Sequence, residues 1–150
     1  EHPDVYEQLQ QDISLIPKVI EEVLRYRSPA QRIVRRVKKG MQLNGQTLKV
    51  NQIVSAWIGS ANRDSQYFND ADSFNIHRPR NPHLGFGYGI NFCLGTRLAR
   101  LEATIVLTEI IKRYKSFSFI DQNLPIPISN GHSLYGLKAF PVKSEIIHIE

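Results

Sequence analysis

Only one cysteine, Cys93, stands among the 150 residues. No disulfide can close within the chain, and a cysteine-rich zinc site is excluded. The histidines (His2, His77, His83, His132 and His148) are scattered, with no pair at helical spacing, so no zinc site is expected from them either. Apolar runs are a few residues long at most, and no segment is predicted to span a bilayer. The opening Glu1-His2-Pro3-Asp4 has neither the basic start nor the apolar stretch of a signal peptide. Together with the lone thiol, this predicts a reducing, cytoplasmic setting. Disordered, collagen-like and coiled-coil classes are set aside by an ordinary composition, 41% hydrophobic and 22% charged. A chain of this size has room for one domain and one core, burying roughly 70% of its unfolded surface.

Acidic residues are absent from positions 25–40, which carry Arg25, Arg27, Arg32, Arg35, Arg36, Lys38 and Lys39. Overall, 19 basic residues against 14 acidic ones give a net charge of +5. Such a block can hold an anion: nucleic acid, phosphate or the carboxylates of a cofactor. It can equally be a solvated basic face. No nucleic-acid-binding motif accompanies it, so nucleic acid is not an expected partner.

Residues 4–11 are helix-compatible. Ser14 is a candidate cap for a second helix, with Pro17 in its first turn. Ile16, Val19, Ile20, Val23 and Leu24 keep helical spacing until Ser28-Pro29 ends the run. Residues 32–58 turn β-prone, and three short strands are expected. Asn44-Gly45 marks a hairpin, and a helical turn follows near 60–63. Residues 64–95 read as a long irregular stretch, of a kind that is usually functional. A strong helix is predicted from about Thr96 to Lys115. Ala99, Ala103, Val106, Leu107, Ile110, Ile111 and Tyr114 fill one arc of it, with Leu98, Leu101 and Ile105 on the other side. Apolar residues on both sides predict a helix sandwiched inside a larger body. β-like pieces follow around 117–120, 126–128 and 137–149, with a turn at Asn130-Gly131.

The chemistry-bearing stretch is Phe86-Gly87-Tyr88-Gly89-Ile90-Asn91-Phe92-Cys93-Leu94-Gly95, running into the long helix. Its glycines free the backbone to approach a flat object closely. A cysteine just before a helix sits where amide N–H groups and the helix dipole favour a thiolate. Phe86 and Phe92 can wall it against water. The pattern suits a soft, strong metal bond. A dinucleotide loop does not fit, because Phe92 stands where G-x-G-x-x-G starting at Gly87 needs its last glycine. A cysteine protease lacks any partner pattern.

This stretch resembles the haem-binding loop of the cytochrome P450 family, F-G-x-G-x-(H/R)-x-C-x-G, with Asn91 in place of the usual His or Arg. Glu22-Val23-Leu24-Arg25 resembles the E-x-x-R of the family's K helix. Phe74-Asn75-Ile76-His77-Arg78-Pro79 resembles the meander whose arginine joins Glu22 and Arg25 in a buried network. Ala61-Asn62-Arg63-Asp64 and Pro82-His83-Leu84 are similar to soluble, bacterial-type members, and Leu98-Ala99-Arg100-Leu101-Glu102 opens the family's L helix.

The resemblance covers residues 1–150. It implies an α+β fold, the C-terminal part of the cytochrome P450 fold, beginning near the end of the J helix and without the I helix. It implies haem b with Cys93 as axial iron ligand. Arg35 is expected at a haem propionate with Asn91, and Ile33, Phe86, Gly87 and His83 are expected to contact the haem. It also implies mono-oxygenation of a small organic substrate, with electrons from a ferredoxin or flavodoxin. That donor would dock near Arg97, Lys112 and Arg113, Arg100 being expected internal. No residue of the chain is assigned to oxygen activation beyond the ligand. A catalytically inactive haem-binding or scaffold fragment is the alternative.

Overall fold

The computed structural model describes residues 2–120, 126–127 and 133–147, the pair 126–127 for its backbone only. Pro3 starts the first helix, α1 (Pro3–Gln11), where its missing N–H costs nothing. Asp12 ends α1, and its side chain accepts the Ser14 N–H at 2.9 Å. Asp12, not Ser14, is therefore the capping side chain. It opens a single 3-10 turn (Ile13–Leu15) that feeds α2 (Ile16–Tyr26). Ser28 closes α2, its hydroxyl donating to the Leu24 carbonyl at 2.6 Å.

Between residues 32 and 57 four strands form rather than three. These are β1 (Arg32–Arg36), β2 (Met41–Leu43), β3 (Gln46–Leu48) and β4 (Ile53–Trp57). β1 pairs antiparallel with β4, so that Arg32 faces Trp57 and Arg36 faces Ile53. β2 and β3 form the hairpin expected at Asn44-Gly45, where both residues take positive φ, 46° and 76°. That combination matches the right-handed twist of the strands. Between β3 and β4 the chain turns at Asn51, also left-handed at φ 68°.

α3 (Ile58–Ala61) is one turn long. Residues 64–95 then carry no helix or strand except a 3-10 turn at Gly89–Asn91, as the Pro and Gly content predicts. α4 (Thr96–Arg113) ends two residues short of expectation, because Tyr114 is extended and begins β5 (Tyr114–Phe119). The Tyr114 carbonyl accepts the Tyr6 hydroxyl at 2.7 Å, which fixes that exit. β5 pairs with β8 (Val142–Ile146), and β6 (Ile126–Pro127) with β7 (Leu137–Ala139). The expected turn at Asn130-Gly131 lies outside the described residues.

The core gathers Val5 and Leu9 of α1, Ile16, Val19 and Ile20 of α2, Ile76 of the meander and Ile111 of α4. α4 meets this cluster through Ala103, Leu107 and Ile111, a stripe narrower than the predicted arc. Val106 falls outside the stripe and is 54% exposed. Leu98, Leu101 and Ile105, on the other side, are more than half exposed.

Candidate functional site

α2 presents its polar side to the meander. Glu22 and Arg25, one turn apart, are each 1% exposed. Arg25 uses all its N–H groups. Its Nε and Nη2 donate to the two Glu22 oxygens at 2.9 and 2.8 Å. The remaining bonds go to the carbonyls of Asn62 (2.9 Å), Ala71 (2.7 Å) and Ser73 (2.8 Å). Glu22 also accepts from the Asn75 amide at 2.8 Å and from Asn81 Nδ2 at 3.0 Å. Arg78 Nε approaches Glu22 Oε2 at 3.4 Å, while its outer nitrogens donate to the carbonyls of Asn69, Asp70 and Ser73. The structure thus brings Glu22, Arg25 and Arg78 together. Burial alone would raise the Glu22 pKa; the Arg25 and Asn75 hydrogen bonds and the two arginine charges outweigh it and hold the carboxyl below its ordinary value.

This network carries the approach to the cysteine loop. Asn62, fully buried, accepts the Leu84 amide at 2.7 Å and donates to Ser28 Oγ at 2.7 Å. The loop closes with the Gly87 amide on Leu84 O (2.8 Å) and the Cys93 amide on Phe86 O (2.9 Å). Gly87 sits at φ 80°, and a Cβ there would lie 3.1 Å from the Asn91 carbonyl. Only glycine fits that close approach without strain. Cys93 is exposed, and its sulfur lies beside Gly95, the cap of α4. The Cys93 carbonyl accepts the Thr96 hydroxyl at 2.6 Å, anchoring the cysteine to the first turn.

Around the sulfur the surface is apolar and open: Ile90 and Leu94 are wholly exposed and Phe92 is half exposed. A soft thiol on a glycine-shaped loop with an uncovered apolar rim fits a flat, apolar, iron-bearing group. Among the described residues no cluster of His, Cys, Asp and Glu could hold a metal ion by itself. Asn91 stands exposed at the end of the 3-10 turn. Ile33 and Arg35 belong to β1, on one face, opposite Ala56 and Val54. Arg35 is exposed and donates to the Val34 carbonyl.

His83 lies against α2 and the start of the loop. Its ring is engaged by Glu21 and by the Gly85 amide, both at 3.0 Å, and its side chain is 4% exposed. Arg100, expected internal, is instead partly exposed, with its side chain 37% accessible, and it grips Glu21 through Nε and Nη2 at 2.6 and 2.8 Å. The sequence reading missed Glu21, Asn62, Asn75 and Asn81. The only available signal was adjacency: Glu21 precedes Glu22, and Asn62 lies in the Ala61–Asp64 stretch that carries the resemblance.

Residues 2–143 match the family model for cytochrome P450. The chain belongs to the cytochrome P450 family. Cytochrome P450 119 of Sulfolobus acidocaldarius is 44% identical over 120 residues, covering 79% of this chain and 33% of that protein. Cytochrome P450 109 of Bacillus spizizenii is 40% identical over 139 residues, covering 93% of this chain and 34% of that one. Substrate-free CYP109E1 from Bacillus megaterium superposes with a TM-score of 0.92 at 43% identity, over 98% of this chain and 38% of its own. CYP109E1 has also been solved with corticosterone and with testosterone. The chain therefore spans about a third of the length of the curated relatives it matches. Its fold is the α+β C-terminal part of the P450 fold, and the family is one of haem-dependent monooxygenases.

Proposed function

We propose that the chain supplies the thiolate side of a haem b monooxygenase, with Cys93 as axial ligand to iron. The observation that carries this is the exposed Cys93 sulfur, held between a glycine-shaped loop and the first turn of α4. Asn91 and Arg35 would meet the propionates, Arg35 alone bringing charge. Phe86, Gly87 and Ile33 would give apolar contact. When bound, the haem supplies dioxygen chemistry, with the thiolate donating electron density to iron, as the general account of P450 ligation has it. The chain's own residues hold the sulfur in place.

The substrate proposed is a small apolar organic molecule, by analogy with the steroid-bound relative. Electrons would come from a ferredoxin or flavodoxin at the α4 side. Arg97 and Lys112 are exposed there, while Arg113 is paired with Glu109 at 2.7 Å. Among the described residues no helix is long and apolar enough to cross a membrane. A cytoplasmic location is part of the same reading.

The test is Cys93→Ser in the haem-loaded protein, with the carbon monoxide spectrum of the reduced form recorded. Loss of the thiolate-type Soret band is the expected result. An unchanged band removes Cys93 as the ligand.

A further inference from the structure

We propose that His83 is a positioning residue for Cys93. As the neutral Nε2–H tautomer it holds the Gly85 amide, and through it the Phe86 carbonyl on which the Cys93 amide hangs. The proposal rests on the haem-thiolate reading above and adds a residue to it.

The tautomer follows from the partners. A backbone N–H can only donate, so the Gly85 amide, 3.0 Å away, requires a lone pair on Nδ1. The ring proton is then on Nε2, where it donates to Glu21 Oε2 at 3.0 Å. Glu21 is itself fixed by the two-pronged grip of Arg100 from α4. The Arg100 hydrogen bonds, opposed by burial and aided by His83, keep the Glu21 carboxyl below its ordinary pKa, so it is an ionised acceptor at neutral pH. The Arg100 guanidinium lies 4.9 Å from the centroid of the Phe86 ring. Helices α2 and α4 thus meet through Glu21 and Arg100 directly behind the loop.

Gly85 has little slack in this arrangement. A Cβ built there would stand 3.0 Å from the Leu24 carbonyl and 3.1 Å from His83 Nδ1. The next residue, Phe86, receives the Cys93 amide at 2.9 Å. One hydrogen bond therefore separates His83 from the backbone that sets where Cys93 stands. With the side chain 4% exposed, water cannot readily replace it.

Two substitutions separate the ring's two bonds. His83→Asn puts Oδ1 where Nδ1 stands, keeping the Gly85 bond and giving up Glu21. His83→Gln reaches Glu21 and offers Gly85 no acceptor. In the reduced, carbon monoxide-bound holoprotein, the readout is the rate at which the thiolate-type Soret band converts to the thiolate-lost band. His83→Asn should stay within about twofold of wild type, and His83→Gln should convert roughly five- to tenfold faster, as for one unmet buried donor. Equal rates for the two variants, whether slow or fast, overturn the proposal. If His83→Gln does not fold, Glu21→Gln replaces it: the Gly85 bond survives there, and a comparable acceleration counts against His83. If wild type shows no thiolate-type band, the haem reading falls separately. Amide exchange at Gly85 and Cys93 without haem then tests the proposal: the Gln variant should speed both and the Asn variant neither, and equal rates in all three proteins overturn it.

Discussion

Glu22 accepts from Arg25, the Asn75 amide and Asn81 and is approached by Arg78, and its ionised carboxylate can only accept. Removing it leaves two buried guanidinium groups without their carboxylate, so Glu22→Ala should cost about 3–5 kcal/mol and most folded, haem-loaded protein. Wild-type melting and haem content in that variant would reduce the cluster to a packing detail. The sign of the pH effect follows from the depressed pKa. The stabilisation is complete above the ordinary Glu value of 4.5 and is lost as pH falls through the lower native value. Glu22→Gln should therefore be less stable at neutral pH but show a shallower acid limb in melting temperature against pH. The sequence made the grouping of Glu22, Arg25 and Arg78 legible, because each stands in a short motif of fixed spacing. Glu21, Asn62, Asn75 and Asn81 were not legible. Their partners are residues distant in sequence that only the folded chain brings near. The partners of the His83 ring, Glu21 and the Gly85 amide, were not legible either.

Among the elements, the hairpin was the easiest to foresee, since Asn44-Gly45 specifies its own backbone. The Ser14 cap and the end of α4 were the hardest, being settled by Asp12 two residues earlier and by the Tyr6 hydroxyl on the Tyr114 carbonyl. Two glycines offer a matched test of turn against loop. Gly45 has φ 76° and open space around its missing side chain, so Gly45→Ala should cost roughly 1 kcal/mol of backbone strain and leave haem content alone. Gly87 has a similar φ of 80° and the Asn91 carbonyl in the way. Gly87→Ala should cost more and reduce haem retention as well. Differential scanning calorimetry beside pyridine haemochrome quantitation measures both, and equal haem content in the two variants contradicts the loop's assigned part.

For the whole molecule, the open questions concern area. Leu98, Leu101 and Ile105 on α4 and Ile90, Phe92 and Leu94 in the loop are all more than half exposed. The 150-residue chain by itself is expected to associate, and to show no substrate oxidation with peroxide as surrogate oxidant. Proton delivery and water exclusion need walls on both sides of a site. Size-exclusion chromatography with a peroxide turnover assay checks both expectations. A monomer that hydroxylates would show that the chain builds more of the pocket than its exposed rim suggests. The sequence showed the two apolar sides of α4 correctly; it could not show that the structure would bury only one.

Arg25 grips the meander by the carbonyls of Asn62, Ala71 and Ser73, and these are main-chain atoms that every residue type provides. The side chains strung between them can therefore change without disturbing the grip, whereas the number of residues cannot. Inserting or deleting a single position between 62 and 73 would slide a different carbonyl under the guanidinium. Across relatives this stretch should drift in spelling and hold its length.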